Sequence, residues 1–297
     1  MRKISVVINT LNEEKNLPRA LASVKSFADE IIVVDMKSDD KTVEIVKKAG
    51  AKVYQHKRMG YVEPARNYAI SKATGDWILI LDADEQAPKT LIKELKKIVQ
   101  KPKADFYRLP RKNIIFGKWI KHSRWWPDYN IRFFRKGFVS WSEIIHSVPT
   151  TQGKGLDLQA REDLAIIHHH YDSIEQFVER MNRYTTEHAK QRSRDGRFRW
   201  RDLIKKPAEE FLSRYFSGEG YKDGVHGLAL ASLQAFSELV LYLKIWQKKG
   251  FEKEKTEIKE VVAAMKEIEA DVHYWQANIL LKSGGGIIQR VKRKLKL

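Results

Sequence analysis

Two carboxylates two residues apart, Asp82 and Asp84, follow directly on the apolar run Ile78-Leu79-Ile80-Leu81. A continuous apolar run after the turn signal Gly75-Asp76 reads as a strand buried on both faces at the centre of a parallel sheet. In extended backbone Asp82 and Asp84 project to the same side, where like charges repel unless a cation lies between them. Such a pair suits Mg2+ or Mn2+ holding a substrate diphosphate at the carboxyl end of the sheet. The plainer alternative is an acidic turn opening the next helix, with Asp84 or Glu85 near its N-terminus.

The elements needed to position that pair alternate in order. Ile4 to Ile8 is β-rich, Thr10-Leu11-Asn12-Glu13-Glu14 is a polar loop, and Leu17, Ala20, Leu21 and Val24 recur at helical spacing. Glu30 to Asp35 is a second buried strand ending in a carboxylate, and a helix with acidic residues in its first turn follows from Asp39. Lys52-Val53-Tyr54 is a third strand; Pro64 opens a helix with Ala65, Tyr68, Ala69 and Ala73 inward, closed by Gly75. This order predicts a doubly wound α/β sheet with its site at the carboxyl ends of the strands. From Asp105 the texture turns to short aromatic and basic strands (106–109, 114–117, 131–134 and 138–141), and after Ser173 to helices with breaks near Gly196, Pro207, Gly218-Glu219-Gly220 and Gly250.

The chain has 297 residues and no cysteine, which excludes disulfides and thiolate metal sites. With 56 Lys and Arg against 38 Asp and Glu, its formal charge of +18 calls for a polyanionic partner: nucleic acid, an anionic membrane face or phosphorylated substrates. The first residues run straight into a strand pattern without a signal-peptide layout, which leads us to expect a cytoplasmic protein. Residues 227–246 are apolar but interrupted by Gln234, Ser237, Glu238 and Lys244, the pattern of a buried or interfacial helix rather than a span. Residues 251–282 form an amphipathic helix whose apolar side packs on its own domain or on a second subunit, as in a homo-oligomer. At the end, Ile288, Val291 and Leu295 share one helical side with cations on the others, which suits either a helix lying on an anionic bilayer or a solvated tail.

Several of these signals agree in order and spacing with a known family. Thr10-Leu11-Asn12-Glu13-Glu14, Val33-Val34-Asp35 with Ser38 and Asp39, Ala65-Arg66-Asn67, Gly75-Asp76-Trp77 and Asp82-Ala83-Asp84 resemble the nucleotide-sugar half of a family 2 glycosyltransferase with a GT-A fold. Phe116-Gly117-Lys118-Trp119, Trp125-Trp126-Pro127-Asp128, Arg132-Phe133-Phe134-Arg135 and Ile167-His168-His169-His170-Tyr171 resemble the subgroup of lipopolysaccharide core β-1,4-glucosyltransferases. The resemblance implies a GT-A domain over residues 1–172, a Rossmann-like sheet with short β additions, and a C-terminal helical region with a basic amphipathic tail over 173–297.

It further implies that Thr10, Asn12 and Glu13 line the nucleotide pocket, with Ala83 between the two acids. Asp35 would accept from base or ribose, and Arg66 would approach base or diphosphate; the alternatives are a capping acid and a solvated helix residue. Asp84 would bind the metal directly, Asp82 would reach the ribose or the metal through water, and His168 would be a third ligand unless the triplet is structural. The reaction implied is inverting transfer of a hexosyl group from a nucleoside-diphosphate sugar, a UDP-sugar by preference, with Mg2+ or Mn2+; the basic tail and net charge motivate a lipid-linked or membrane-associated glycan acceptor at the inner membrane face. A carboxylate must take the proton of the acceptor hydroxyl. Many relatives carry His-Glu where this chain has His146-Ser147, so Asp128, beside the sugar-stacking candidates Trp125 and Trp126, is the first candidate base and Glu143 the second. Asp128 as a turn cap after Pro127 is the alternative. Lys37, where relatives have a small residue, either adds a phosphate contact or faces water.

Two other classes compete. A nucleotidyltransferase should open on a Gly-rich, Lys-bearing phosphate loop, whereas residues 10–14 are acidic. A nucleic-acid-binding module is suggested by the charge and by Trp125, Trp126, Trp200 and Trp246, but these do not form one compact basic motif, so no specific nucleic acid is expected.

Overall fold

The computed structural model describes residues 2–58, 63–142, 149–195 and 198–296. It divides into two compact units, one of Met1–Ile115 with Trp126–His170 and the other of Phe116–Trp125 with Tyr171–Leu297.

In chain order the elements up to the second unit are β1 (Ile4–Thr10), α1 (Leu17–Val24), β2 (Glu30–Asp35), α2 (Thr42–Lys48), β3 (Lys52–Gln55), α3 (Glu63–Ser71), β4 (Trp77–Ile80), β5 (Glu85–Gln86), α4 (Lys89–Gln100), β6 (Phe106–Leu109) and β7 (Arg111–Ile115). They continue with β8 (Lys118–Trp119), which belongs to the second unit, then β9 (Asn130–Arg135), β10 (Val139–Ser140), β11 (Thr150–Thr151), β12 (Gly155–Asp157) and β13 (Ile166–Tyr171). The large sheet has the order β12-β6-β9-β4-β1-β2-β3, with β4, β1, β2 and β3 mutually parallel and β9 antiparallel to both β4 and β6. β5, β13 and β7 lie side by side in a second small sheet. The expected α/β fold of GT-A type is borne out.

Alternation along the parallel strands buries both faces. Val6, Ile8, Val33 and Leu79 pack with Leu17, Leu21 and Val24 of α1 and Leu91 and Leu95 of α4. Val7, Ile32, Val34, Ile78 and Ile80 pack on the other face with Ala65 and Ala69 of α3. Each fully buried aliphatic side chain contributes about 1.5–3 kcal/mol, so the sheet is the main source of cohesion. The turn into β4 is pressed against β1: a Cβ at Gly75 would lie 2.8 Å from the Ser5 nitrogen and 2.9 Å from the Lys3 oxygen, which is why that turn needs glycine.

The second unit holds α5 (Ile174–Asp195), α6 (Asp202–Leu212), α7 (Val225–Lys248), α8 (Ile258–Lys282) and α9 (Ile287–Leu295). α7 packs against α5 and α6, and α9 against α8. Lys244 of α7 ties α5 by donating to the Asn182 carbonyl and to the Thr185 and Thr186 hydroxyls at 2.6, 2.9 and 2.8 Å. The break expected near Pro207 is absent, since α6 runs through that proline, whereas the break at 218–220 is a π-turn followed by a 3-10 turn. The break expected near Gly196 lies outside the described residues. α7 is long and apolar enough to cross a membrane, and only 28% of its most apolar window is buried.

At the opposite end of the sheet from the acidic pair, Glu30 joins three strands. It accepts from Ser5 at 2.6 Å, from Lys52 at 2.8 Å, and from the Thr74 backbone and hydroxyl at 2.6 and 2.8 Å. Burial works against its ionisation, but these donors outweigh it and bring the carboxyl down to about 2. A carboxyl lowered on folding stabilises fully above its ordinary 4.5 and loses that contribution as pH falls towards 2. Glu30→Gln should therefore cost about 1–3 kcal/mol at pH 7, and its deficit against the wild type in urea unfolding should shrink between pH 4.5 and 2. A deficit independent of pH would contradict this role.

Candidate active site

Two loops leave the carboxyl ends of β1 and β2 and hold each other through side chains. Thr10 and Asp35 are register partners, and the Thr10 hydroxyl donates to Asp35 at 3.2 Å. The Ser38 nitrogen and hydroxyl donate to the same carboxylate at 3.0 and 2.5 Å. Asn12, in left-handed backbone at φ 57°, donates its N–H to the Ser38 hydroxyl and accepts from the Asp39 N–H, both at 2.8 Å. The Glu13 N–H reaches the Thr42 hydroxyl at 2.8 Å, and its carboxylate accepts from Asn16 at 3.0 Å beside the start of α1. Thr10, Asn12, Glu13 and Asp35 are thus gathered at one sheet end. Asp35, however, is fully buried and accepts from Thr10 and Ser38, which makes it the fastener between the loops. Lys37 has φ 63° and is exposed.

The acidic pair departs from its expected geometry. β4 ends at Ile80, and Asp82 to Glu85 form a turn closed by the Glu85 N–H on the Asp82 carbonyl at 3.0 Å. The two carboxylates therefore do not share one side of an extended strand. Asp82 is taken by Arg66 at 2.9 Å and by Arg132 at 2.5 Å. Burial opposes its charge, yet the two guanidiniums prevail and hold its carboxyl well below the usual range. Arg66 is accordingly a buried partner of Asp82, with its guanidinium 5.7 Å from the Trp141 ring centre. Ala83 is buried in the turn.

Asp84 has a different neighbour. His168 on β13 is register partner to Glu85, and its Nε2 lies 3.4 Å from the Asp84 Oδ2. The other ring nitrogen, Nδ1, is 2.6 Å from the Asn113 Oδ1, and the ring is 4.4 Å from that of His170, its neighbour on the same strand side.

Sequence reasoning did not find the groups behind these. Glu85 has no exposed surface, binds Arg132 at 2.6 Å and Arg111 at 3.3 Å, and accepts the Asp82 N–H at 2.9 Å. Arg111 also donates to Asp128 through Nη2 at 2.6 Å and Nε at 2.8 Å, and Asn113 donates to Asp128 at 3.0 Å. Asp128 is held below the usual carboxylate range: burial raises it, but Arg111 and Asn113 more than compensate. A carboxylate so engaged is a weak proton acceptor, which counts against Asp128 as the base. Glu143 lies outside the described residues. Trp125 belongs to the helical unit, beneath Arg214 at 5.7 Å, and Trp126 to the sheet unit. The signal available for the missed arginines was their place in short strands with apolar residues, Arg111 opening β7 and Arg132 inside β9.

Among the described residues no three His, Asp or Glu side chains form a cage for a metal ion. Asp84 and His168 nevertheless offer one oxygen and one nitrogen at 3.4 Å, a set compatible with Mn2+ or Mg2+ when diphosphate and water fill the remaining positions. The cluster Asp82, Asp84, Glu85 and Asp128 against Arg66, Arg111 and Arg132 carries one more carboxylate than guanidinium, which favours a cation further.

A parallel sheet with interlocked loops and an acidic turn at its carboxyl edge is the arrangement with which α/β folds bind nucleotide ligands. The sequence profile of glycosyl transferase family 2 matches residues 5–152. An uncharacterized glycosyltransferase of Rickettsia typhi is 34% identical over 255 residues, covering 82% of this chain and 87% of its own, and one of Rickettsia conorii is 32% identical over 256 residues, covering 82% and 89%. Among solved structures, S. aureus TarS 1-349 overlaps 86% of this chain and 94% of its own at TM-score 0.46 and 16% identity, too loosely to bear on function. The chain belongs to glycosyl transferase family 2 and is a glycosyltransferase.

Arg132 is the test of this cluster. Arg132→Met strands Glu85 and Asp82 without their shared partner and should destabilise the fold by about 3–5 kcal/mol. A loss below about 1 kcal/mol in urea unfolding would show that the ion pairs are incidental.

Proposed function

We propose that this glycosyltransferase moves a hexosyl group, with inversion, from a UDP-sugar to a membrane-associated, lipid-linked glycan acceptor, with Mg2+ or Mn2+ required. The observation that carries the donor half is the Asp84–His168 pair at the carboxyl edge of the sheet. Those two side chains would hold the ion, which when bound supplies positive charge to the departing diphosphate. Arg66 and Arg132 keep Asp82 ionised and in place beside it. Thr10, Asn12 and Glu13 edge the nucleotide pocket, whose shape the Asp35 fastening maintains. In the displacement the anomeric carbon loses the diphosphate oxygen and gains the acceptor oxygen, whose proton passes to a carboxylate. With Asp128 engaged by Arg111, we assign that proton to Glu143; Trp126 is the aromatic surface for sugar. The lipopolysaccharide-core resemblance of the 116–119 and 125–135 motifs supports a cell-envelope glycan as acceptor.

Asp84→Ala should abolish Mn2+-dependent hydrolysis and binding of the preferred donor in a panel of nucleoside-diphosphate sugars while leaving the fold intact by circular dichroism. Donor turnover untouched by Asp84→Ala, or equal with and without divalent ion, would refute the site.

The membrane half of the proposal, at the cytoplasmic face, rests on α9. Ile287, Ile288, Val291 and Leu295 lie on one side of it and are 49–76% exposed, while Arg290, Lys292 and Lys294 occupy the rest. Anionic lipid satisfies both faces at once, because apolar burial and attraction to headgroups act together. α8 exposes Val262 and Met265 as well, a surface available to a second subunit. Ile288→Glu with Val291→Glu should lower co-sedimentation with anionic vesicles at least tenfold, with donor hydrolysis unchanged; equal sedimentation would rule α9 out as the anchor.

A further inference from the structure

The hydrogen bonds behind His168 have a direction that the chemistry of each group dictates. Asp128 is a carboxylate and can only accept, so Asn113, 3.0 Å away, must turn its amide nitrogen towards it. That choice leaves the Asn113 Oδ1 facing the His168 Nδ1 at 2.6 Å, and a carbonyl oxygen can only accept. Nδ1 must then carry a proton, which in the neutral ring puts the imidazole lone pair on Nε2. Nε2 in turn faces the Asp84 carboxylate at 3.4 Å, so an acceptor points at an acceptor.

We propose that Asp128, through Asn113, is a positioning system that fixes His168 in its Nδ1–H form and so aims a lone pair at Asp84, creating the nitrogen half of a divalent-cation site. This deepens the metal-dependent reading above and rests on it. Arg111 completes the device. It donates to the same Asp128 oxygen that Asn113 uses, from Nε at 2.8 Å, and is itself held by Glu85, so the acceptor cannot rotate away from the amide. Asn113 is fully buried and His168 nearly so, which protects the chain of bonds from exchange with water. The same arrangement gives Asp128 a task other than proton abstraction: its oxygen is needed as an acceptor, not as a base.

The test starts with the metal-free wild-type protein labelled with 15N-histidine, at a pH where His168 is neutral and with its signals assigned by His168→Gln. Long-range 1H–15N correlation should show Nδ1 protonated and Nε2 bearing the lone pair; the opposite tautomer, or an even mixture, overturns the proposal without any metal being added. Mn2+ affinity is then read by electron paramagnetic resonance in the presence of UDP. Asn113→Leu should weaken it about 10- to 100-fold, the range found when the partner of a ligating histidine is removed, and scramble the tautomer. Asp128→Asn keeps an oxygen for Arg111 and Asn113 and should keep both the tautomer and Mn2+ affinity to within about threefold, whereas Asp128→Leu should match Asn113→Leu. An Asn113→Leu protein that folds and binds Mn2+ like the wild type overturns the proposal. Should the wild type bind no Mn2+, the metal-dependent reading fails, and the tautomer measurement still decides the positioning role.

Discussion

Arg132 lies almost fully buried between the carboxylates of Asp82 and Glu85, at 2.5 and 2.6 Å, and the geometry of the candidate site follows from that placement. Removing ions from water is costly, and the attraction between them compensates only when the geometry is good and the remaining donors are satisfied. β9 supplies the geometry, because its register on β4 pairs Phe133 with Leu79 and Phe134 with Ile78 and carries Arg132 to the strand end where the acids begin, although the buried Arg132 Nε has no hydrogen-bond partner among the described residues. Aromatic packing of Trp77 on Phe133, ring centres 4.9 Å apart, locks the same register from the core side. The result is a division of labour between two aspartates that look alike in sequence. Asp82 is neutralised by arginine, and Asp84 is turned towards His168.

A second constraint acts at the neighbouring loops. A carboxylate buried at a strand end has to find donors, and Asp35 finds them in Thr10 across the sheet and in Ser38 three residues ahead. Fastening both loops to one acceptor orders them before any ligand arrives, which lowers the entropic cost of binding there. The backbone conforms to this, with Asn12 and Lys37 both in left-handed conformation.

The helical unit is built on different terms. Its longest apolar helix, α7, is packed by α5 and α6 yet leaves Val225, Leu228, Phe236 and Leu243 exposed along one line, and α9 exposes its whole apolar side. Here polar ties such as Lys244 on α5, with burial pushing that ammonium below its usual range, add to the apolar packing of Ala189, Leu241 and Ile245. Such a unit suits a role at a surface, whereas the sheet unit suits chemistry that needs fixed geometry.

Much of this was legible in the residues. Apolar runs with period-two burial on both faces identified the parallel strands, the glycines and prolines marked most helix ends, and the ordered motifs identified the family, because each depends on neighbours within a few residues. Pro207 misled, since α6 carries a proline inside it, and the strand expected over 138–141 shortened to Val139–Ser140. The site was legible only in part. Asp82, Asp84, Asp35 and His168 stood out by type and place, but which of them would be neutralised by an arginine depended on α3 and β9, 16 and 50 residues away along the chain. The sequence by itself determined that acidic groups end the central strand. Only the tertiary structure decided that Arg132 claims Asp82, that Asp128 serves Asn113, and that Asp84 faces His168, because pairing of buried charges is settled by distance in space and by the cost of leaving any one of them unpaired.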